Sequence, residues 1–600
     1  MVQEYQSYPI LDFKGGLTKD KEPWLIAEDA FSVLTNAILY RGKLIKRRGF
    51  REFAVFVNKV TGESVTDVIN PSTGTLANFP IRDTVSSAIF TDSAGTPQVM
   101  TYDGDGAFTG DGTGTLDVAT GVYSLTWDAG PTGPITVDYS YEPQNPIMGI
   151  ENYYTNAGVS DLIIFDTKRA CVYNSTTFEF DAIGTADIWS GNDANFFWVE
   201  NYKERLFVTN NSNRLKSYNG TAFSDVLVEF DTTSSGNELD TCLMVFVYKE
   251  RLVLLRPTEN GTSYPQRARW SAVNNPDNYT LDEFIDAPTV DFIVAADFLG
   301  DDLIVWFETS IWALKFTQSS VLPFRWEKIV DTDGSSATFA LNTFSNEQVG
   351  IGPTSIISTD GIDAVDINQK IPDAVLSFDS NGFKYIYSVL IEELQLILIS
   401  YPSIGSSLND KSLALNFENN TWADFSLGFH TYGFFAEQQD YTWENIGLAW
   451  DDIEFAWDDK SLQAGYPLTI AGNDTGTVFQ LNTTGSDDGE SIPEDIRTKK
   501  FNPYVAQGFK ARLGWVEFLL TTDLNVVLTV EFYINHITTP YLTKTIDAIG
   551  DGQKTWKRIN VGAIGEFHSM RIYHDATNQT FEIHDINLYF KPIKGRFKLG

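Results

Sequence analysis

The pentapeptide Tyr-Lys-Glu-Arg-Leu occurs at Tyr202 to Leu206 and again at Tyr248 to Leu252, each copy running straight into an apolar, strand-forming stretch. The second copy starts 46 residues after the first, which is the length of one blade of a β-propeller. Related strand cores stand at similar intervals: Asp161 to Phe165, Asp302 to Phe307, Thr354 to Ser358 and Gln395 to Ile399. A blade cannot bury both faces of its small sheet alone, so several must pack around an axis. The spacing predicts about six or seven blades over 146–490.

Six hundred residues exceed a single core, so several domains are expected. Aromatic residues make up 14% of the chain, which favours strands. Against 43 Lys+Arg stand 80 Asp+Glu, a net charge of −37 that disfavours tight binding of nucleic acid over the whole surface. Cys171 and Cys242, the only cysteines, form no Cys-x-x-Cys pair and read as core residues. The first residues lack a basic stretch followed by an apolar one, and no run reaches the length of a membrane helix. Synthesis in the cytoplasm and no membrane-spanning segment are the expectations.

The fold class expected is all-β: a propeller with an inserted small β-sandwich and a C-terminal β-sandwich. Residues 1–58 form an N-terminal segment in which Ala27 to Leu39 is expected to hold a short helix, Pro23 suiting its approach. A basic loop follows, with Arg41, Lys43, Lys46, Arg47 and Arg48 in a chain otherwise short of positive charge. The readings are a solvated loop, or a contact docking on an acidic surface of a neighbouring subunit or adaptor, with direct DNA contact a variant that the surrounding negative field opposes. All place the charges outside the core, so reversing Lys46, Arg47 and Arg48 to Glu should leave thermal unfolding nearly unchanged. Residues 59–145 are the inserted sandwich: Ile135, Val137, Tyr139 and Tyr141 share one strand face, and Thr136, Asp138 and Ser140 the other. Residues 491–600 are the second sandwich, with Val526, Leu528, Val530, Phe532 and Ile534 on one face and a basic end at Lys591, Lys594, Arg596 and Lys598.

Enzyme chemistry finds little footing. There is no Gly-x-Ser-x-Gly, His-Glu-x-x-His or phosphate-binding Gly-x-x-x-x-Gly-Lys-Ser/Thr sequence. His568 and His574 are six apart, about 20 Å along a strand, too far to share a metal. Asp103 to Gly114 approximates a calcium loop, but Ala107 and Gly114 occupy ligand positions, and Gly/Asp turns are the simpler reading. Ser358-Thr-Asp-Gly361 misses the sialidase-like turn by one position, although 80 acidic residues leave room for a catalytic pair. Trp443, Trp450 and Trp457, seven apart, suit either domain packing or a subunit contact. No catalytic, cofactor-binding or metal-ligating residue is assigned, and no cofactor is expected.

Several phrases together resemble a known family. Gly15-Gly16, Asn36, Gly42 and Lys46-Arg47-Arg48-Gly49-Phe50 look like the opening of the tail nozzle and tail hub (tail tubular) proteins of short-tailed bacteriophages. They are followed, in the order such proteins use, by Tyr202 to Val208, Arg269 to Tyr279, Leu303 to Leu314 and Ala471 to Phe479. The resemblance covers 13–60 and 145–480, not the insertion between. Arg48 departs from it, where the family often has proline. It implies a virion structural protein and not an enzyme: a propeller-based subunit of a homohexameric ring that closes the DNA channel and conducts DNA on ejection. Adaptor or portal-proximal proteins, and tail fibres, would be its partners, with DNA passing unbound. The alternatives are a propeller glycan-active enzyme and a scaffold for a host-surface ligand.

Overall fold

The two Tyr-Lys-Glu-Arg-Leu copies are hairpin turns. In the computed structural model, Tyr202 pairs with Arg205 and Tyr248 with Arg251, so Lys203-Glu204 and Lys249-Glu250 are two-residue loops. All four loop residues have φ between 49° and 60°, the geometry whose twist matches that of the flanking strands. Left-handed backbone is unfavourable for residues with a Cβ, and a tyrosine from the preceding repeat holds each turn in place. Tyr153 Oη donates to Glu204 O at 2.8 Å and Tyr202 Oη to Glu250 O at 2.9 Å. The structure describes residues 4–65, 69–93, 97–156, 158, 160–184, 187–230, 238–319, 321–436, 465–522 and 524–596. Trp443, Trp450 and Trp457 lie outside them.

Around these hairpins the described residues form seven consecutive antiparallel units of four principal strands. Their first strands are Gly149–Tyr154, Trp198–Tyr202, Leu239–Tyr248, Ile293–Leu299, Asn342–Phe344, Tyr387–Ile391 and Thr431–Phe435. Apart from the third and fourth, successive first strands lie side by side, and the last lies beside the first. The third and fourth meet through Phe298, whose ring is 5.9 Å from Phe246 and 5.4 Å from Tyr248. The seventh unit takes its fourth strand from the far end of the chain: Phe50–Phe56 pairs antiparallel with Thr477–Leu481 and touches the first unit in parallel at Val55 and Phe56.

Ala27 to Leu39, expected to be helical, is two strands, Ala30–Thr35 and Ala37–Tyr40, bent at Asn36 (φ 56°). Val33 and Leu34 pair with Arg497 and Ile496, and Thr35 with both Asp495 and Asp424. Pairing with segments about 390 and 460 residues away overrides a local pattern. Strands from residues 6–46 are woven into two facing sheets with the C-terminal part. One contains Gln6–Ile10, Ala37–Tyr40, Lys43–Lys46, Glu582–Arg596, Phe509–Thr521 and Thr555–Gly565; the other contains Ala30–Thr35, Glu494–Thr498, His568–His574, Val526–Ile534 and Leu542–Ala548. Val516, Phe518, Ile586 and Leu588 pack against Leu528, Val530 and Ile572 between them, and the same core continues to Leu398 and Trp422 of the sixth unit.

The insertion is one continuous eight-stranded antiparallel sheet from Asn58–Val65 to Ile135–Tyr141, with its own core around Phe90, Met100, Leu125 and Val137. Its last strand alternates as the sequence predicts, with Ile135, Val137, Tyr139 and Tyr141 buried. Arg82 of this module reaches Glu179 of the first unit. Among the described residues no helix is long and apolar enough to cross a membrane.

Candidate functional site

The structure divides the basic cluster. Arg47 is only 3% exposed. Its guanidinium grips Asp487 with both arms, Nη1 to Oδ1 at 2.8 Å and Nη2 to Oδ2 at 2.5 Å, and its Nε donates to Asn36 Oδ1 at 2.8 Å. Asn36 Nδ2 in turn donates to Ser426 Oγ and Pro493 O, both at 2.6 Å. Asn36 thus ties the N-terminal strands, the sixth unit and the approach to the C-terminal sheets at one point. Gly49 completes the joint: a Cβ there would sit 1.8 Å from Ser486 O, so the chain passes only as glycine.

Lys46 is fully buried, with Nζ 3.0 Å from His574 Nδ1. His574 Nε2 lies 3.1 Å from Gln579 Oε1, which only accepts, so the proton sits on Nε2 and Nδ1 accepts from Lys46. Beside them Glu494 is fully buried, and neither of its carboxylate oxygens has a hydrogen-bond partner. Burial pushes the Glu494 carboxyl well above its ordinary range, against the pull of Lys46. Burial pushes the Lys46 ammonium down, opposed by Glu494. The expectation that these five charges lie outside the core is therefore corrected for Lys46 and Arg47, whose partners form only when the chain ends meet. Lys43 is half-buried and pairs with Glu582 at 2.8 Å. Arg41, over the Tyr40 ring, and Arg48 are exposed.

Arg41, Lys43 and Arg48 line a cleft of about 1230 Å³ with an apolar floor that includes Ile45, Leu390 and Leu481. Glu392, Glu393 and Glu582 share its walls.

A second group of residues was missed from sequence. Glu151-Asn152-Tyr153 and Glu200-Asn201-Tyr202 are a repeated tripeptide, in register with the hairpin repeat, on the first strands of the first two units. Asn152 Nδ2 donates to Phe434 O at 2.6 Å and Asn201 Nδ2 to Asn152 O at 2.8 Å, so each asparagine laces one first strand to its predecessor. Burial pushes the Glu200 carboxyl up to about 8, helped by Glu151 and Asp297. Burial pushes Glu151 up to about 7, although its side chain remains open to water. Asp297 is also raised by burial, against a hydrogen bond from Thr343.

The remaining candidates have ordinary structural partners. His568 and His574 lie on one buried strand face, but His568 Nε2 donates to Ala511 O at 3.0 Å while His574 serves Lys46. Asp103 Oδ1 accepts from the backbone of Asp105 and Ala107, a local turn. Asp360 caps the turn at Ile362 and Asp363. Among the described residues no group of three or more His, Cys, Asp or Glu is placed to hold a metal. Cys171 and Cys242 are buried and unpaired.

No family model matches the chain, and no curated protein matches it. Among solved structures it is similar to an exo-β-1,3-galactanase from Phanerochaete chrysosporium in complex with galactose, at 8% identity and a TM-score of 0.22, over 66% of this chain and 95% of that one. It is also similar to the extracellular domain of a hybrid two-component system protein from B. thetaiotaomicron, at 10% identity and a TM-score of 0.22, over 59% of this chain and 53% of that one. Scores this low carry no argument about fold or function.

Proposed function

We propose that the chain is a structural subunit of a short-tailed phage tail, a nozzle or hub whose copies form a ring that closes the DNA channel and conducts DNA on ejection. The observation that carries this reading is where the phrases shared with that family fall. Asn36, Lys46, Arg47 and Gly49 make the joint between chain ends. Arg269 is 1% exposed and holds Glu259 through Nε at 2.7 Å and Nη2 at 3.0 Å. Trp306 is fully buried and donates to Gln348 of the next unit at 2.9 Å, and Asn473 Oδ1 closes the turn to Thr475 and Thr477. All of these are framework positions; none is free to act on a substrate.

In this reading the seven units are the blades of a propeller. Phe50–Phe56 closes it as the outer strand of the last blade, and the Asn152 bond to Phe434 O supports that closure. The net charge of −37 suits a conduit that DNA slides past, since repelled phosphates bind nowhere along it. Negative-stain imaging of the purified chain, alone and with an adaptor, should show sixfold rings with a central hole; single particles under both conditions would count against it.

One observation favours a second reading, a glycan-active propeller. Burial pushes the Glu200 carboxyl up to about 8, so it keeps its proton at neutral pH as a general acid requires, with Glu151 and Asp297 near enough to raise it further. Hydrolysis of chromogenic glycosides that is abolished in Glu200→Gln would establish it.

A further inference from the structure

The end of the C-terminal sheets carries an apolar patch with a basic rim. Leu524, Ile549 and Trp556 are 55%, 67% and 50% exposed. The loops bearing the first two are held together by Gly552 N to Thr522 O at 3.1 Å and Gly550 N to Asn525 Oδ1 at 2.9 Å. Lys554, Lys557 and Arg558 follow, with no ion pair among the described residues; Arg558 rests on the Trp515 ring. Two acids lie nearby: Asp551 accepts from Gln553 N, and Glu517, opposite Arg558 in the sheet, accepts from Tyr589 Oη at 2.9 Å. Among the described residues the strand Thr555–Gly565 pairs only with Phe509–Thr521, so its other edge has no strand partner, although Leu542–Ala548 of the facing sheet lies close by. The patch runs on into the cleft through Thr521, Thr522 and Lys43, toward Arg41 and Arg48.

A complementary surface lies elsewhere on the same chain. Asp360-Gly-Ile-Asp-Ala-Val-Asp366 forms the outer edge of the fifth unit, since among the described residues Ala364–Asp366 pairs only with Ile356–Thr359. Ile362 and Val365 are 81% and 58% exposed. Asp360, Asp363 and Asp366 are exposed and make no ion pair among the described residues. One surface joins apolar side chains to cations, the other joins apolar side chains to carboxylates, and among the described residues neither edge has a strand partner.

We infer that these two surfaces meet between copies of this chain, the 554–558 edge of one copy against the 360–366 edge of the next. The occupant is a second copy because the basic patch interrupts a chain of net charge −37, and the matching acidic, aliphatic edge is on that chain itself. Two different patches make the contact heterologous, which propagates head to tail and closes into a ring when the rotation permits. The inference deepens the ring reading and rests on it for closure.

The test uses the full chain. Lys554→Glu/Lys557→Glu/Arg558→Glu and Asp360→Lys/Asp363→Lys/Asp366→Lys should each weaken self-association, followed by sedimentation, by roughly tenfold or more, and the chain carrying both sets should regain it. A double variant, Ile362→Cys/Trp556→Cys, oxidised at high concentration, should give a ladder of linked copies that neither single variant gives; Cys171 and Cys242 are buried and stay silent. Single-face variants that associate like the wild type, or a double-cysteine chain that gives no ladder, overturn the inference. If the wild type nonetheless forms rings, only this contact is wrong; if it forms none with or without adaptor, the ring reading fails with it. A ladder that forms only with an adaptor protein linked in places the adaptor, not a second copy, on the patch and also overturns it.

Discussion

Truncation of Arg47 to alanine tests the joint at the chain ends most sharply. The change removes two charged bonds to Asp487 and one to Asn36 Oδ1, and leaves Asp487 with a side chain only 16% exposed. Breaking a buried pair by deleting one partner costs about 3–5 kcal/mol, because the remaining charge is stranded. Water that reaches Asp487 at its partly open side argues for the lower end, about 3 kcal/mol, or roughly two orders of magnitude in an opening equilibrium. A chain of this size need not unfold in one step, so the readout is hydrogen exchange resolved by peptide. Peptides spanning 36–50 and 482–494 should exchange about a hundredfold faster in Arg47→Ala, and within about threefold of wild type in Arg48→Ala, whose side chain is exposed. Arg47→Lys should fall between, since it keeps the charge and loses the fork. If Arg47→Ala peptides exchange like the wild type, the joint is not where these segments are held.

Gly49→Ala should be more damaging than Arg47→Ala, because its Cβ meets backbone at Ser486 and not a movable side chain; a soluble variant with unchanged thermal unfolding would refute that geometry. Residues 59–143, expressed alone, should unfold cooperatively, since the sheet encloses its own core; a disordered NMR spectrum at neutral pH would contradict it. Burial lowers the pKa of His430, His568 and His574. The unfolded chain then binds more protons than the folded one below about pH 6.5, so stability is lost as pH falls through the depressed values. His568→Gln, which keeps a donor for Ala511 O, should flatten that acid limb. Glu200 acts with the opposite sign: its raised carboxyl favours the fold at low pH and loses that contribution as pH rises from 4.5 toward about 8, so Glu200→Gln should gain stability relative to wild type across that window and level off above it.

What the sequence reveals depends on how far apart the interacting residues lie. The alternation of Ile135 to Tyr141 needs only its own seven residues and is seen in the strand Ile135–Tyr141. The hairpins at Tyr202 and Tyr248 are equally local. Ala27 to Leu39 was misread because its strand partners, Arg497, Ile496 and Asp424, come from distant segments. Lys46 and Arg47 read as surface charge for the same reason: His574 and Asp487 are 528 and 440 residues away, and nothing near the cluster announces them. The Glu-Asn-Tyr repeat was legible in principle, standing just before the pentapeptide at Tyr202. The second hairpin copy is preceded by Phe246-Val247, so the tripeptide does not accompany every copy of the pentapeptide.

The most direct test of the central claim is a cryo-microscopy map of the native particle that carries this chain. The account predicts copies arranged as a sixfold ring below the portal and adaptor, enclosing the DNA channel; a map with a single copy, three copies at fibre positions, or none in the tail would contradict it.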